Sequence, residues 1–94
     1  MNMQNAQNSN NPEQRHDVTI RSRESMSISG VMEVMSFDES GVMLETVMGI
    51  MGVEGEELRI TRLDTDRKEV DLEGRFNGIA YAEKRVKRRL FSKG

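Results

Sequence analysis

Residues 31–48 read VMEVMSFDESGVMLETVM, two runs rich in apolar residues on either side of a polar centre. An apolar run from Val31 to Phe37 meets a polar turn, Asp38-Glu39-Ser40-Gly41, and a second run carries Val42, Leu44 and Val47. Two such runs around a turn with a late glycine make a β-hairpin: the short polar side chains bond the turn's backbone, and glycine takes the left-handed conformation a turn often needs. Asp38 is expected to accept backbone hydrogen bonds there, and Phe37 to close the core at the hairpin end.

Working outward, Val18 and Ile20, then Met26 and Ile28, alternate with polar residues and predict two upstream strands. Downstream, Gly49, Gly52 and Gly55 punctuate a short strand over 50–53. A second hairpin follows, with Leu58, Ile60 and Leu63 on one side of Asp64-Thr65-Asp66-Arg67-Lys68 and Val70, Leu72 and Phe76 on the other. Ile79 and Tyr81 predict a last strand, and no helical period occurs before residue 83.

The hairpins overlay as a weak internal repeat of a strand, a glycine and a hairpin. Ile28-Ser29-Gly30 matches Val53-Glu54-Gly55, Met32, Val34, Phe37 and Asp38 match Leu58, Ile60, Leu63 and Asp64, and Val42, Leu44 and Glu45 match Val70, Leu72 and Glu73. The spacing drifts from 25 to 28 residues. The fold class expected is all-β: a small antiparallel sandwich or roll of about six or seven short strands built from two similar hairpins.

Alternation then assigns faces. Met32, Val34, Phe37, Val42 and Leu44 are expected to face the core with Leu58, Ile60, Leu63, Val70 and Leu72. The second hairpin's other face carries Arg59, Thr61 and Arg62 against Asp71, Glu73 and Arg75, a mixed-charge surface for water. The first hairpin's other face carries Val31, Met35, Met43 and Val47 beside Glu33 and Glu45. An apolar outer face on so small a domain calls for a cover, either another subunit, another protein or the chain's own ends. Val31, Met35, Met43, Glu45 and Val47 are therefore the candidate interface, with flexible, polarizable methionine suited to it. The bland reading is that Val31 and Met35 only cover the hairpin edge.

The 94 residues divide into a leader over 1–16, a β-domain over 17–82 and a basic tail over 83–94. The leader holds five Asn and three Gln with almost nothing apolar, so it is expected to be disordered. A domain of about 65 residues buries only roughly 60% of its unfolded surface, which makes oligomerisation a natural supplement. There is no cysteine, which fits a reducing, cytoplasmic location, and neither a secretion signal nor a membrane-spanning apolar run is present. Net charge is −2, divided as +5 over 83–94 and −7 before it. The tail residues Lys84, Arg85, Lys87, Arg88, Arg89, Leu90 and Phe91 form a second candidate surface, for an anionic membrane or a partner, and if helical the tail places Val86 and Leu90 on one face. Nucleic acid is the weaker expectation, because the body is acidic and offers only Tyr81 and three Phe for stacking.

Catalytic and cofactor motifs are not found. His16 is expected to be solvated at the end of the leader, with no serine or cysteine arrangement to activate. Asp64, Asp66 and Glu69 fail as a calcium loop because Lys68 and Glu69 stand where that loop needs an oxygen ligand and a glycine. Gly49, Gly52 and Gly55 lack phosphate-loop spacing and a following helix. No catalytic residue, metal, cofactor or small-molecule substrate is expected.

At the level of whole motifs, the chain from Arg21 to Tyr81 resembles the YabP-like sporulation protein family of endospore-forming bacteria. The resemblance is carried by Arg21, Arg23, Ile28-Ser29-Gly30-Val31, Val34, Ser36-Phe37-Asp38, Leu44-Glu45-Thr46 with Gly49, Val53, Gly55, Leu58, Ile60, Leu63-Asp64, Val70, Leu72, Glu73-Gly74-Arg75, and Ile79 with Tyr81. It departs at Met26, where leucine is more usual, at Gly52, where a side chain is expected, and at Lys68, a turn position often held by glycine. The resemblance implies a non-enzymatic protein of the later stages of endospore formation and supplies no active-site residues. Self-association or binding to another sporulation protein is the leading expectation, with a membrane-surface adaptor and a nucleic-acid binder as alternatives.

Overall fold

An antiparallel sheet that must be dry on one face, with no helix among the described residues to cover it, has to fold over itself. The computed structural model describes residues 15–82, all strands and turns. The rest of the leader and the basic tail lie outside the described residues. The strands are β1 (Val18–Arg21), β2 (Ser25–Ser29), β3 (Val31–Asp38), β4 (Gly41–Thr46), β5 (Gly49–Asp64) and β6 (Glu69–Ala82). They form one antiparallel sheet in the order β1-β2-β6-β5-β4-β3.

The all-β, antiparallel expectation holds, but the strands are not uniformly short. Segments 50–53 and 58–63 are one 16-residue strand, and 70–76 joins 79–81 in a 14-residue strand. Each serves two halves of the sheet. The first half comprises β1, β2, residues 69–73 of β6 and residues 59–64 of β5. The second comprises β3, β4, residues 49–54 of β5 and residues 78–82 of β6.

The two halves share one register. Leu44 lies opposite Met51 and Val42 opposite Val53, as Leu72 lies opposite Met26 and Val70 opposite Ile28. Val34 and Phe37 meet Leu44 and Val42, as Ile60 and Leu63 meet Leu72 and Val70. Ile79 and Tyr81 pair with Val53 and Met51, as Val18 and Ile20 pair with Ile28 and Met26. The repeat read in the hairpins thus extends to the flanking strands, and each unit's last strand pairs with the other unit's first.

Cross-strand partners point to the same face, and the inward residues of both halves form one cluster that includes Met26, Leu44, Met51 and Leu72, each fully buried. A single sheet layer cannot dry these side chains, so each half covers the other. The crossing between halves is tight. A side chain on Gly55 would run into the Arg75 carbonyl, and the β3–β4 turn is hydrogen-bonded to the crossing through Gly55 N to Ser40 O (3.1 Å) and Leu58 N to Glu39 O (2.9 Å). The β1–β2 turn does the same for β6, through Gly74 N to Glu24 O (3.1 Å) and Phe76 N to Arg23 O (3.0 Å). Arg23, at φ 57°, also donates its guanidinium to Phe76 O and Asn77 Oδ1, both at 2.9 Å.

Three core assignments need correction. β3 carries two bulges, with Met32 and Met35 as the extra residues. A bulge advances the alternation by one, so Val31 enters the core at 5% exposure and Met32 turns out to solvent at 54%. Phe37 and Leu63 have the inward register but are 43% and 54% exposed. Each half has them on its edge strand, where one flank lacks a neighbour. Phe37 does not seal the hairpin end.

Two turn residues make opposite predictions. Gly30, at φ 75°, turns the chain from β2 into β3 with Arg15 O packed where a Cβ would stand. Lys68, at φ 61°, pays the left-handed penalty that glycine avoids, while its carbonyl accepts the Val31 N–H at 2.9 Å. Gly30→Ala is expected to lower the unfolding free energy by about 1–3 kcal/mol, and Lys68→Gly to raise it by up to about 1 kcal/mol. Urea titration of the purified variants measures both.

Candidate interaction surface

The shared register allows the two outer faces to be compared position by position. On the first half, Arg59 lies opposite Glu73 and Arg62 opposite Asp71, with Ser25 and Ser27 of β2 flanking them. Arg59 pairs with Glu73 at 2.6 Å. The Arg62 guanidinium reaches Glu69 at 2.8 Å, Asp71 at 3.0 Å and Asp64 at 3.6 Å. The hydrogen bonds it donates, to Glu69 first and Asp71 second, hold Arg62 still more firmly in its charged form. Pairs this exposed contribute little stability, but they leave a face suited to water.

On the second half the equivalent positions change chemistry. Glu33 and Glu45 stand where the first half has Arg59 and Glu73. Met43 replaces Asp71, Gly52 replaces Ser27, and Ile50 replaces Ser25. On β6, Ala80 and Ala82 correspond to Thr19 and Arg21 of β1. Met43 is 40% exposed and lies over Gly52, where an added Cβ would come within 3.2 Å of its sulfur. The three glycines 41, 52 and 78 leave a shallow depression of about 480 Å³, with Met43, Ala80, Asp38 and Glu54 among its lining.

The motifs that flank this face build its turns. Asp38 Oδ1 accepts from Ser40 N (2.8 Å), Ser40 Oγ (3.0 Å) and Gly41 N (2.9 Å), as expected of a turn aspartate. These bonds, the Ser40 amide first, hold its carboxyl below the ordinary value. At the other end of β4, Thr46 Oγ1 donates to Gly49 O (2.7 Å) and accepts from Met48 N (3.1 Å). Thr46 is buried, and these bonds satisfy it inside the β4–β5 turn.

The candidate interface residues are only partly brought together. Met43 and Glu45 share the outer face, and Met35 sits beside them as an exposed bulge residue on the edge strand. Val47 lies in the β4–β5 turn, its N–H bonded to Gly30 O at 3.0 Å. Val31 belongs to the core, because of the bulge after it. Gly52, Ile50, Ala80 and Ala82 complete the face, and the alternation within the hairpins could not supply them because they lie on neighbouring strands. The one available signal was Gly52 itself, a glycine where a side chain was expected. Lys84, Arg85, Lys87, Arg88, Arg89, Leu90 and Phe91 lie outside the described residues.

His16 also departs from expectation. Its Nδ1 is 2.8 Å from Ser29 O, which can only accept, so Nδ1 carries a proton; in the neutral ring Nε2 then accepts from the Tyr81 hydroxyl at 2.7 Å. The rings meet edge to face at 5.6 Å. His16 therefore ties the strand before β1 to the end of β6. Among the described residues no group of His, Cys, Asp or Glu is arranged to hold a metal ion.

The YabP family matches residues 12–88. The chain is 43% identical over 72 residues to a protein named Spore protein YabP from Bacillus subtilis (strain 168), an alignment covering 77% of this chain and 71% of that relative.

The Asp38 turn carries a pH prediction. A carboxyl lowered in the folded state stabilises the fold fully above its unfolded pKa, near the ordinary 3.8, and that contribution is lost as pH falls through the lower folded value. Asp38→Ala is expected to lower the thermal midpoint at neutral pH, with the gap from the parent protein closing only below about pH 4. Melting curves from pH 7 to pH 2 test this, and a gap that does not depend on pH would assign Asp38 no role as an ionised acceptor.

Proposed function

The chain belongs to the YabP family, and on that premise we propose that it acts in the later stages of endospore formation as a non-enzymatic assembly protein. It binds a second copy or another spore-assembly protein through the outer face of its second half. The sporulation role is supported by the relative's name as a spore protein.

The binding role rests chiefly on one observation. The same backbone register carries paired charges and serines on one outer face, and methionine, isoleucine, alanine and glycine among the carboxylates Glu33, Asp38, Glu45 and Glu54 on the other. A shared framework removes fold geometry as the cause of the difference. An apolar patch with a glycine floor accepts a protuberance from a partner, and Met43 can rearrange around it. Chemistry in the depression is poorly supported, because its Asp38 carboxylate is already engaged by three donors of its own turn.

Met43→Glu places a charge at the centre of this face, and burying an unpaired charge in an interface costs on the order of 3–5 kcal/mol, roughly a 100-fold or greater loss of affinity. In an endospore-forming host the variant is expected to reduce heat-resistant spores while the purified protein keeps its fold by circular dichroism. Thr19→Glu, on the first half's outer face, serves as the control. Equal spore counts for Met43→Glu and the parent would remove this face from the function.

A further inference from the structure

The apolar outer face ends where the chain continues into its most basic segment. Ala82, the last residue of β6, lies opposite Ile50, which lies opposite Glu45, which lies opposite Glu33. One row thus crosses all four strands of the second half. Ile50 is only 6% exposed although it faces outward and stands apart from the core cluster.

The charge on this face is one-sided. From Glu24 to Leu58 the chain has eight carboxylates and neither Lys nor Arg. Four of them, Glu33, Asp38, Glu45 and Glu54, occupy outward positions of the second half. Beyond Ala82 and a single Glu83 come Lys84, Arg85, Lys87, Arg88, Arg89 and Lys93, interleaved with Val86, Leu90 and Phe91. The composition of this segment complements the face in both charge and apolar content.

We propose that residues 83–94 dock across the outer face of the second half of the same chain. The basic side chains lie toward Glu33, Glu45 and Glu54, and Leu90 and Phe91 toward Met43 and the glycine floor. The reach is sufficient. Four strands span three inter-strand spacings, about 14 Å, whereas twelve residues reach about 18 Å as a helix and about 40 Å extended. This inference rests on the face being a binding surface and names its occupant in the isolated chain. A partner gains access by displacing the segment, and because the contact is largely ionic, salt weakens it.

The chain has no cysteine, so Ser92→Cys in the full chain carries a single nitroxide. Its paramagnetic effect on the amide signals reads where the segment lies. Most of the intensity of Gly52, Met43 and Ala80 is expected to be lost while Ser27 and Asp71 keep theirs. The contrast should fade in about 1 M salt, where screening acts within roughly 3 Å, and in the Glu33→Lys, Glu45→Lys double variant. Even attenuation over both halves overturns the proposal. So does attenuation that appears only when spin-labelled, isotopically silent chains are mixed with unlabelled, isotope-enriched ones, since the segment then docks on a second copy. If the contrast is absent while Met43→Glu still abolishes spore function, the docking inference fails and the binding face stands.

Discussion

The constraint on which the structure depends is the crossing of β5 and β6 between two halves of one sheet. With no helix among the described residues to cover it, the inward face stays dry only if the sheet covers itself, and that requires two strands long enough to serve both halves. The crossing forces backbones together, which is why Gly55 packs against the Arg75 carbonyl and why both outer turns lend carbonyls to amides there. The turns at 22–24 and 38–41 are therefore structural braces as well as connections. Arg23, strained in the left-handed region, is held by its two guanidinium hydrogen bonds to β6.

Once the crossing is made, the two halves have equivalent inward positions and are free to differ outside. The core is filled by Leu, Val, Ile and Met at matching registers, so packing binds the halves to similar inward chemistry. The outer faces are under no such constraint, and they diverge. One collects arginines that pair with its carboxylates, while the other accumulates carboxylates around a glycine-floored depression. Like charges opposite each other on a strand pair are unfavourable in isolation, and Glu33 opposite Glu45 is where the second half departs from the Arg59–Glu73 pairing of the first.

Much of this was legible in the chain. The turn Asp38 to Gly41 and its acceptor role, the second hairpin, and the matching of Gly30 to Gly55 follow from local turn chemistry and alternation, which act over a few residues. The exchange of Val31 and Met32, and the outward exposure of Phe37 and Leu63, depend on bulges and on edge position, which are properties of strand pairing and not of composition. The continuity of β5 through three glycines was hidden because glycine reads as a break, whereas here it permits a crossing. His16 looked solvated because its partners, Ser29 and Tyr81, are 13 and 65 residues away.

Local signals along the chain specify an all-β fold of two similar hairpins, the polar character of one outer face, the presence of Met43 and Glu45 on the other, and the basic charge that follows the last strand. Those features are set by period-two alternation, turn residues and charge, all local. Which strands adjoin, the completion of the outer face by Ile50, Gly52, Ala80 and Ala82, and the lead from this face into the basic segment all depend on long-range pairing. Residues become neighbours across a sheet through hydrogen-bond register between distant segments, and the register is chosen by burying both hairpins' inward faces at once.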